Sequence, residues 1–226
     1  MPVDYVYGVI AQIKIINPEM ELQKYKNDGW GISQLGFTYL LQLIETSESV
    51  PTRILEFGSG SSTRFFCDIV KDGIKDMTIT SFDNDITYAY KPTNTESFLT
   101  LNIRPLVECN DPEYLTQMLT QQYMPEHMRD KTSVLEPIQR NNFYRIEDGD
   151  LSGIYDIVLL DGPNGNGRNF AFLHIKPYVT SGSIIYIDDY NHYDFLEQCV
   201  ANFDCEILVQ HTEGIGHDNF VILKIK

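Results

Sequence analysis

The sequence predicts an α/β protein: a mostly parallel sheet with helices on both faces and an antiparallel last strand. Short apolar runs such as YDIVLL (155–160) and SIIYI (183–187) alternate with amphipathic helical patterns. Several of these runs end in acids, and the first of them, Ile54-Leu55, passes through Glu56 into the break Gly58-Ser59-Gly60. Continuous apolar strands separated by helices belong to a sheet covered on both faces.

Residues 1–17 carry a loose apolar pattern whose period does not separate strand from helix. Asn17-Pro18 and Asp28-Gly29-Trp30-Gly31 are breaks, and Trp30 either lines a ligand mouth or packs a core. Ser33 then precedes Leu35, Tyr39, Leu40, Leu43 and Ile44 at helical spacing. Residues 1–49 read as an N-terminal extension with a helix packing over the active edge, and 50–226 as the main domain.

Arg53–Arg64, RILEFGSGSSTR, is a buried strand, a glycine turn and a helix start, with Ser61, Ser62 and Thr63 as candidate helix caps. A Cβ in the turn would block a left-handed backbone and the approach of a ligand. The crevice at the carboxyl end of such a strand is where open α/β sheets bind cofactors. Met77–Phe82 reads as the next strand and ends in Asp83-Asn84-Asp85. An acid there, some twenty-odd residues past the turn, either accepts both hydroxyls of a ribose or caps the next helix.

Leu101–Val107 reads as a third strand. Residues 111–150 are the least regular, with a helix expected around 112–122 and a short strand at Asn142–Ile146, and read as an insertion shaping a substrate pocket. The runs at 155–160 and 183–187 are buried strands, with a helix from about Asn169 to Tyr178 between them. A helix from His192 to Asn202, strands at Glu206–Gln210 and Asn219–Ile225, and a hairpin tip at His217-Asp218 complete the chain.

At 226 residues the chain supports one substantial core. A formal charge of −15 argues against a nucleic-acid backbone or an anionic membrane as partner. Arg140, Arg145 and Arg168 are left to make a locally basic pocket. Cys67, Cys109, Cys199 and Cys205 have no CxxC spacing and read as thiols. With no signal peptide and no long apolar span, the expectation is a soluble cytoplasmic protein. Whether it forms a homo-oligomer is open.

Asp161 and Asp188-Asp189 end two strands on one sheet edge. Converging carboxylates repel unless protons or a cation hold them, and an all-oxygen set suits magnesium or manganese. The alternative without metal makes one acid a general base and another a cofactor ligand. The loop Gly162–Arg168 either presents Asn164 and Arg168 to the pocket or is an ordinary turn. His174 reads as a packed residue. His192, four residues past Asp188, is a candidate general base or an exposed helix-start histidine. Tyr190, Asn191 and Tyr193 stand near the expected mouth.

LEFGSGSST followed by TSFDND, YDIVLLDGPNGNGR and SGSIIYIDDY resembles the class I S-adenosylmethionine-dependent methyltransferases. The likeness covers about 50–226 and is strongest toward small-molecule and sugar O-methyltransferases, macrocin-type enzymes among them. Glycan methyltransferase domains of large DNA viruses have a similar compact DGP-containing layout, which would put the chain in a host cytoplasm. The resemblance implies a Rossmann-like, seven-stranded sheet, S-adenosyl-L-methionine as cofactor and a small-molecule or glycan acceptor. It implies cofactor contacts at Glu56, Gly58, Gly60, Ser62, Thr63, Asp83, Asn84 and Asp161, and a divalent metal on Asp161, Asp188 and Asp189. Asn164, Arg168 and Tyr190 would face the acceptor. Two departures matter. Macrocin-type enzymes carry a second acid where this chain has Pro163, and catechol-type enzymes carry a lysine where it has Asn164. The base then falls to Asp161, Asp189 or His192.

Two rival readings are a dinucleotide-dependent oxidoreductase and a non-catalytic binding subunit. Against the first, Thr63 stands where GxGxxG has its third glycine or alanine. Against the second, a scaffold has no reason to crowd carboxylates.

Overall fold

The computed structural model of the chain describes residues 21–25, 31–108, 142–163, 166–190, 202–212 and 219–226. Several readings lie outside the described residues: the pattern in 1–17, Trp30, the helix around 112–122, Asn164, Asn191, His192, Tyr193, and the 217–218 hairpin tip. Cys109 and Cys199 lie outside them too, while Cys67 and Cys205 are free thiols.

A 3-10 turn at Leu22–Tyr25 precedes α1 (Gln34–Thr46), β1 (Thr52–Phe57), α2 (Ser61–Lys71), β2 (Met77–Asp83) and β3 (Leu99–Ile103). β4 (Leu106–Glu108), β5 (Asn142–Tyr144) and β6 (Ile157–Leu160) follow. A 3-10 segment, Asn166–Phe170, runs into α3 (Ala171–Ile175) and a further 3-10 turn, Lys176–Tyr178. β7 (Ile184–Asp188), β8 (Cys205–Thr212) and β9 (Asn219–Ile225) close the chain.

Seven strands form one sheet in the order β3-β2-β1-β6-β7-β9-β8. The first five are parallel, and β9 runs antiparallel to both β7 and β8. This is a Rossmann-like, mostly parallel sheet, with the reversed last strand that the sequence predicts. β4 and β5 make a separate antiparallel pair.

Strand periodicity assigns the two cores. Leu55, Phe57, Val158, Leu160, Ile185 and Ile187 pack on one face with Phe170 and Phe172. Ile54, Ile157, Leu159 and Tyr186 pack on the other with α1, α2 and Tyr25. Because side chains alternate along a strand, the central strands must be apolar on both faces. Each fully buried large side chain contributes about 1.5–3 kcal/mol. Ser33 caps α1, its hydroxyl accepting from the Gly36 amide at 3.1 Å. α1 lies on the second face rather than over the edge. Gly36 lets it close down there, since a Cβ would strike the Tyr186 hydroxyl.

Two expected elements differ. The third strand divides at Pro105: the Arg104 amide still donates to the Asp83 carbonyl (2.8 Å), but Pro105 has no amide to continue the ladder. The chain then leaves the main sheet for the β4–β5 pair. The helix expected from Asn169 to Tyr178 is three short pieces, with Pro177 in the last. No helix among the described residues is long and apolar enough to cross a membrane.

Candidate active site at the seam of β1 and β6

From β1 the chain steps outward through β2 to β3, then returns to lay β6 on the other side of β1. The carboxyl ends of β1 and β6 are therefore the topological switch point, where such sheets hold ligands. The Gly58 amide donates to the Phe82 carbonyl and the Asp161 amide to the Phe57 carbonyl, each at 2.9 Å. Gly58 has φ +101°, and a Cβ on it would lie 2.9 Å from the Asp161 carbonyl carbon and the Gly162 nitrogen. Glycine is required there by conformation and by space. Gly60 differs: a Cβ on it would meet nothing within 4 Å, because the crevice opens above it.

Glu56, Ser81 and Asp83 share one face of adjacent strands by their even spacing. Glu56 is fully buried. Its Oε2 accepts from the Thr63 and Ser81 hydroxyls, both at 2.5 Å. Burial pushes this carboxyl up to about 7, against the opposing pull of the Ser62, Ser81 and Thr63 hydroxyls. Thr63 also accepts from the Gly60 amide at 3.0 Å, which ties the turn to the helix. Gly60 is thus the N-cap, and Ser61, Ser62 and Thr63 lie inside the first turn of α2 rather than at its cap. Asp83 holds the turn from the other side, its Oδ2 accepting from the Ser59 amide (3.0 Å) and its Oδ1 from the Asp85 amide (2.8 Å). The carboxylate, which also takes a backbone bond from Asn84, keeps acceptor capacity for a ligand hydroxyl. Burial raises its pKa. Asn84 beside it is exposed.

The strand-tip acids Asp161, Asp188 and Asp189 lie close enough for their charges to act on one another. Asp188 is buried, while Asp161 and Asp189 are partly exposed. The carboxyls of Asp161 and Asp188 hydrogen-bond to each other, and burial raises the pKa of both. Asp189 adopts a left-handed backbone at φ 53° and gives its amide to the Asn219 carbonyl at 2.9 Å. Its charge acts on both of the other acids.

Arg168, read from the sequence as a pocket residue, is only 2% exposed. Its Nε donates to the Pro163 carbonyl (2.9 Å) and its Nη1 to the Asp188 carbonyl (3.2 Å). The guanidinium joins the β6 loop to the tip of β7, and its charge pulls the pKa values of Asp161 and Asp188 down. Tyr190 is also buried. Its hydroxyl lies 2.6 Å from Thr212 Oγ1 and accepts from Gln210 Nε2 at 3.0 Å, which fastens the β7 tip to β8. His174 packs as expected, stacked on Phe143 at 5.4 Å and 12°.

The donor set does not fit a divalent cation among the described residues. No group of three His, Cys, Asp or Glu side chains there is disposed to hold one. Two of the acids bond to each other, and the charge beside them is that of Arg168.

Sequence reasoning missed Tyr144. Its ring stacks on Phe57 (6.0 Å, 13°), and a Cβ on Gly162 would run into its hydroxyl. Asp83, Asp161, Glu56 and Arg168 all act on that hydroxyl, and no hydrogen bond holds it among the described residues. The only signal was the aromatic pair Phe143-Tyr144 at the end of the irregular segment.

No protein-family model matches this chain. No curated protein matches it either. Solved structures do. The ribosomal protein L11 methylase of Lactobacillus delbrueckii subsp. bulgaricus is 9% identical over 88% of this chain and 81% of that one, with a TM-score of 0.44. The N-methyltransferase NodS of Bradyrhizobium japonicum WM9, in complex with S-adenosyl-L-homocysteine, is 11% identical over 90% and 95%, with a TM-score of 0.48. CmcI in an Mg-SAM form is 17% identical over 84% and 72%, with a TM-score of 0.44. The fold assignment itself rests on the strand order given above.

Proposed function

We propose that this protein is an S-adenosyl-L-methionine-dependent O-methyltransferase acting on a hydroxyl of a small molecule, sugar or glycan. One observation carries the reading: the Gly58–Gly60 turn, Asp83 and the three strand-tip acids meet at the single switch point of the sheet.

The residues fit a nucleoside cofactor. The open space above Gly60 admits a ligand to the backbone, and the spare acceptor capacity of Asp83 suits a ribose hydroxyl. Glu56 acts beneath them by bracing Thr63 and Ser81. When bound, the cofactor supplies an activated methyl group on a sulfonium.

The chain must then align the acceptor and take its proton. Asp161 is the strand-tip acid placed for that, since it is partly exposed at the seam while Asp188 is buried behind it. The acceptor hydroxyl gives its proton to the Asp161 carboxylate, and Asp188 steadies that carboxyl through their mutual hydrogen bond. Asp189 adds negative charge at the same edge. A net charge of −15 suits a small acceptor better than a nucleic acid.

Calorimetric titration with S-adenosyl-L-homocysteine, with and without magnesium or manganese, tests the reading. Binding is expected in either buffer, and with S-adenosyl-L-methionine supplied as the methyl donor, transfer to members of a sugar-hydroxyl panel is expected. No binding under any condition overturns it, and binding of NAD in its place would favour an oxidoreductase.

A further inference from the structure

We propose that the Arg168 guanidinium takes the place of a divalent cation among Asp161, Asp188 and Asp189, so that this edge needs no metal. The proposal deepens the methyltransferase reading, but its test does not depend on that reading.

Three carboxyls at neighbouring strand tips need protons or a positive charge close by, because their mutual repulsion and burial are otherwise uncompensated. The fold supplies that charge from within. Arg168 sits in the 3-10 segment Asn166–Phe170, where Arg168, Asn169 and Phe170 are all buried. Gly167 makes this possible. A Cβ on it would collide with the Asn142 carbonyl oxygen, so the segment lies directly against β5 and sends the next side chain inward.

Two backbone carbonyls then fix the guanidinium, Pro163 on the β6 loop at 2.9 Å and Asp188 at the β7 tip at 3.2 Å. A planar, permanently charged head held at two points is a counter-ion rather than a mobile surface group. The acids are arranged to match. The Asp161 and Asp188 carboxyls bond to each other, and the Arg168 charge acts on both. No ligand trio is formed among the described residues.

Manganese titration followed by electron paramagnetic resonance tests the proposal on the full chain, with and without S-adenosyl-L-homocysteine. The wild type is expected to show no saturable site up to about 1 mM manganese, the weak end of the range for protein oxygen sites. Arg168→Met, which removes the charge at similar bulk, is expected to bind manganese at least tenfold more tightly and to melt at a higher temperature when manganese is present. Arg168→Lys keeps a charge and is expected to gain no site. A saturable manganese site in the wild type overturns the proposal, as does an Arg168→Met protein that folds by circular dichroism yet gains no affinity. Should Arg168→Met fail to fold, the wild-type and Arg168→Lys titrations still decide the matter. S-adenosyl-L-homocysteine binding in the same samples reports separately on the cofactor reading.

Discussion

Gly58 and Gly162 pack backbone against backbone across the seam of β1 and β6: a Cβ on Gly162 would lie 2.9 Å from the Gly58 Cα. This contact separates two glycines that look alike in the sequence. Gly58 is fixed by the fold, through its φ of +101° and its neighbour, whereas Gly60 faces open space. Gly58→Ala should destabilise the protein by about 2–4 kcal/mol, from left-handed strain and overpacking. Gly60→Ala should change stability by less than about 1 kcal/mol while weakening cofactor binding by tenfold or more. Urea denaturation and calorimetry on both variants check this. Equal losses of stability would remove the distinction.

Glu56 makes folding stability depend on pH. Its folded pKa stands at about 7 against an ordinary 4.5, so the native state binds more protons than the unfolded state between those values. The resulting stability is fully present below about pH 4.5, is lost as pH rises to about 7, and is level above that. The shift corresponds to about 3 kcal/mol at most. Glu56→Gln keeps an oxygen for the Thr63 and Ser81 hydroxyls and should flatten this part of the profile. Some slope remains from Asp83 and the Asp161–Asp188 pair, whose pKa values are also raised. Denaturant unfolding at pH 5 and pH 8 measures the difference, and parallel profiles for variant and wild type would refute it.

Asp161→Asn should lower turnover by about 10²-fold or more, the usual worth of a positioned base. Affinity for S-adenosyl-L-homocysteine should stay within about twofold, since the turn and Asp83 are untouched. Near-normal turnover would remove Asp161 from the mechanism and shift attention to Asp189.

The sheet was legible because its strands are apolar on both faces and end in acids or glycines, signals that survive without tertiary context. β9 was read to the residue, and the switch-point acids follow from strand direction alone. The burial of Arg168 and Tyr190 was not legible. Both side chains are polar and follow strand tips, and only the three-dimensional approach of Pro163 to Asp188, and of Thr212 and Gln210 to Tyr190, reveals their structural bonds. The division of the third strand was signalled by Pro105, a residue that cannot donate to a ladder.

Tyr144 was hidden for a related reason: β5 pairs with β4 and not with the main sheet, so strand periodicity does not point it at the seam. Its ring is held by Phe57, which leaves the hydroxyl as the part a ligand can engage. Tyr144→Phe keeps the stack and removes only that oxygen. Loss of one hydrogen bond to the ligand, about 0.5–1.5 kcal/mol, corresponds to roughly a two- to tenfold weaker binding of S-adenosyl-L-homocysteine. The melting temperature should move by no more than about 2 °C, because no hydrogen bond among the described residues is broken. Calorimetry and thermal melts on the same preparation read the two effects separately. A lower melting temperature with unchanged affinity would make Tyr144 a packing residue and nothing more, whereas weaker binding in an equally stable protein would place its hydroxyl on the wall of the cofactor crevice.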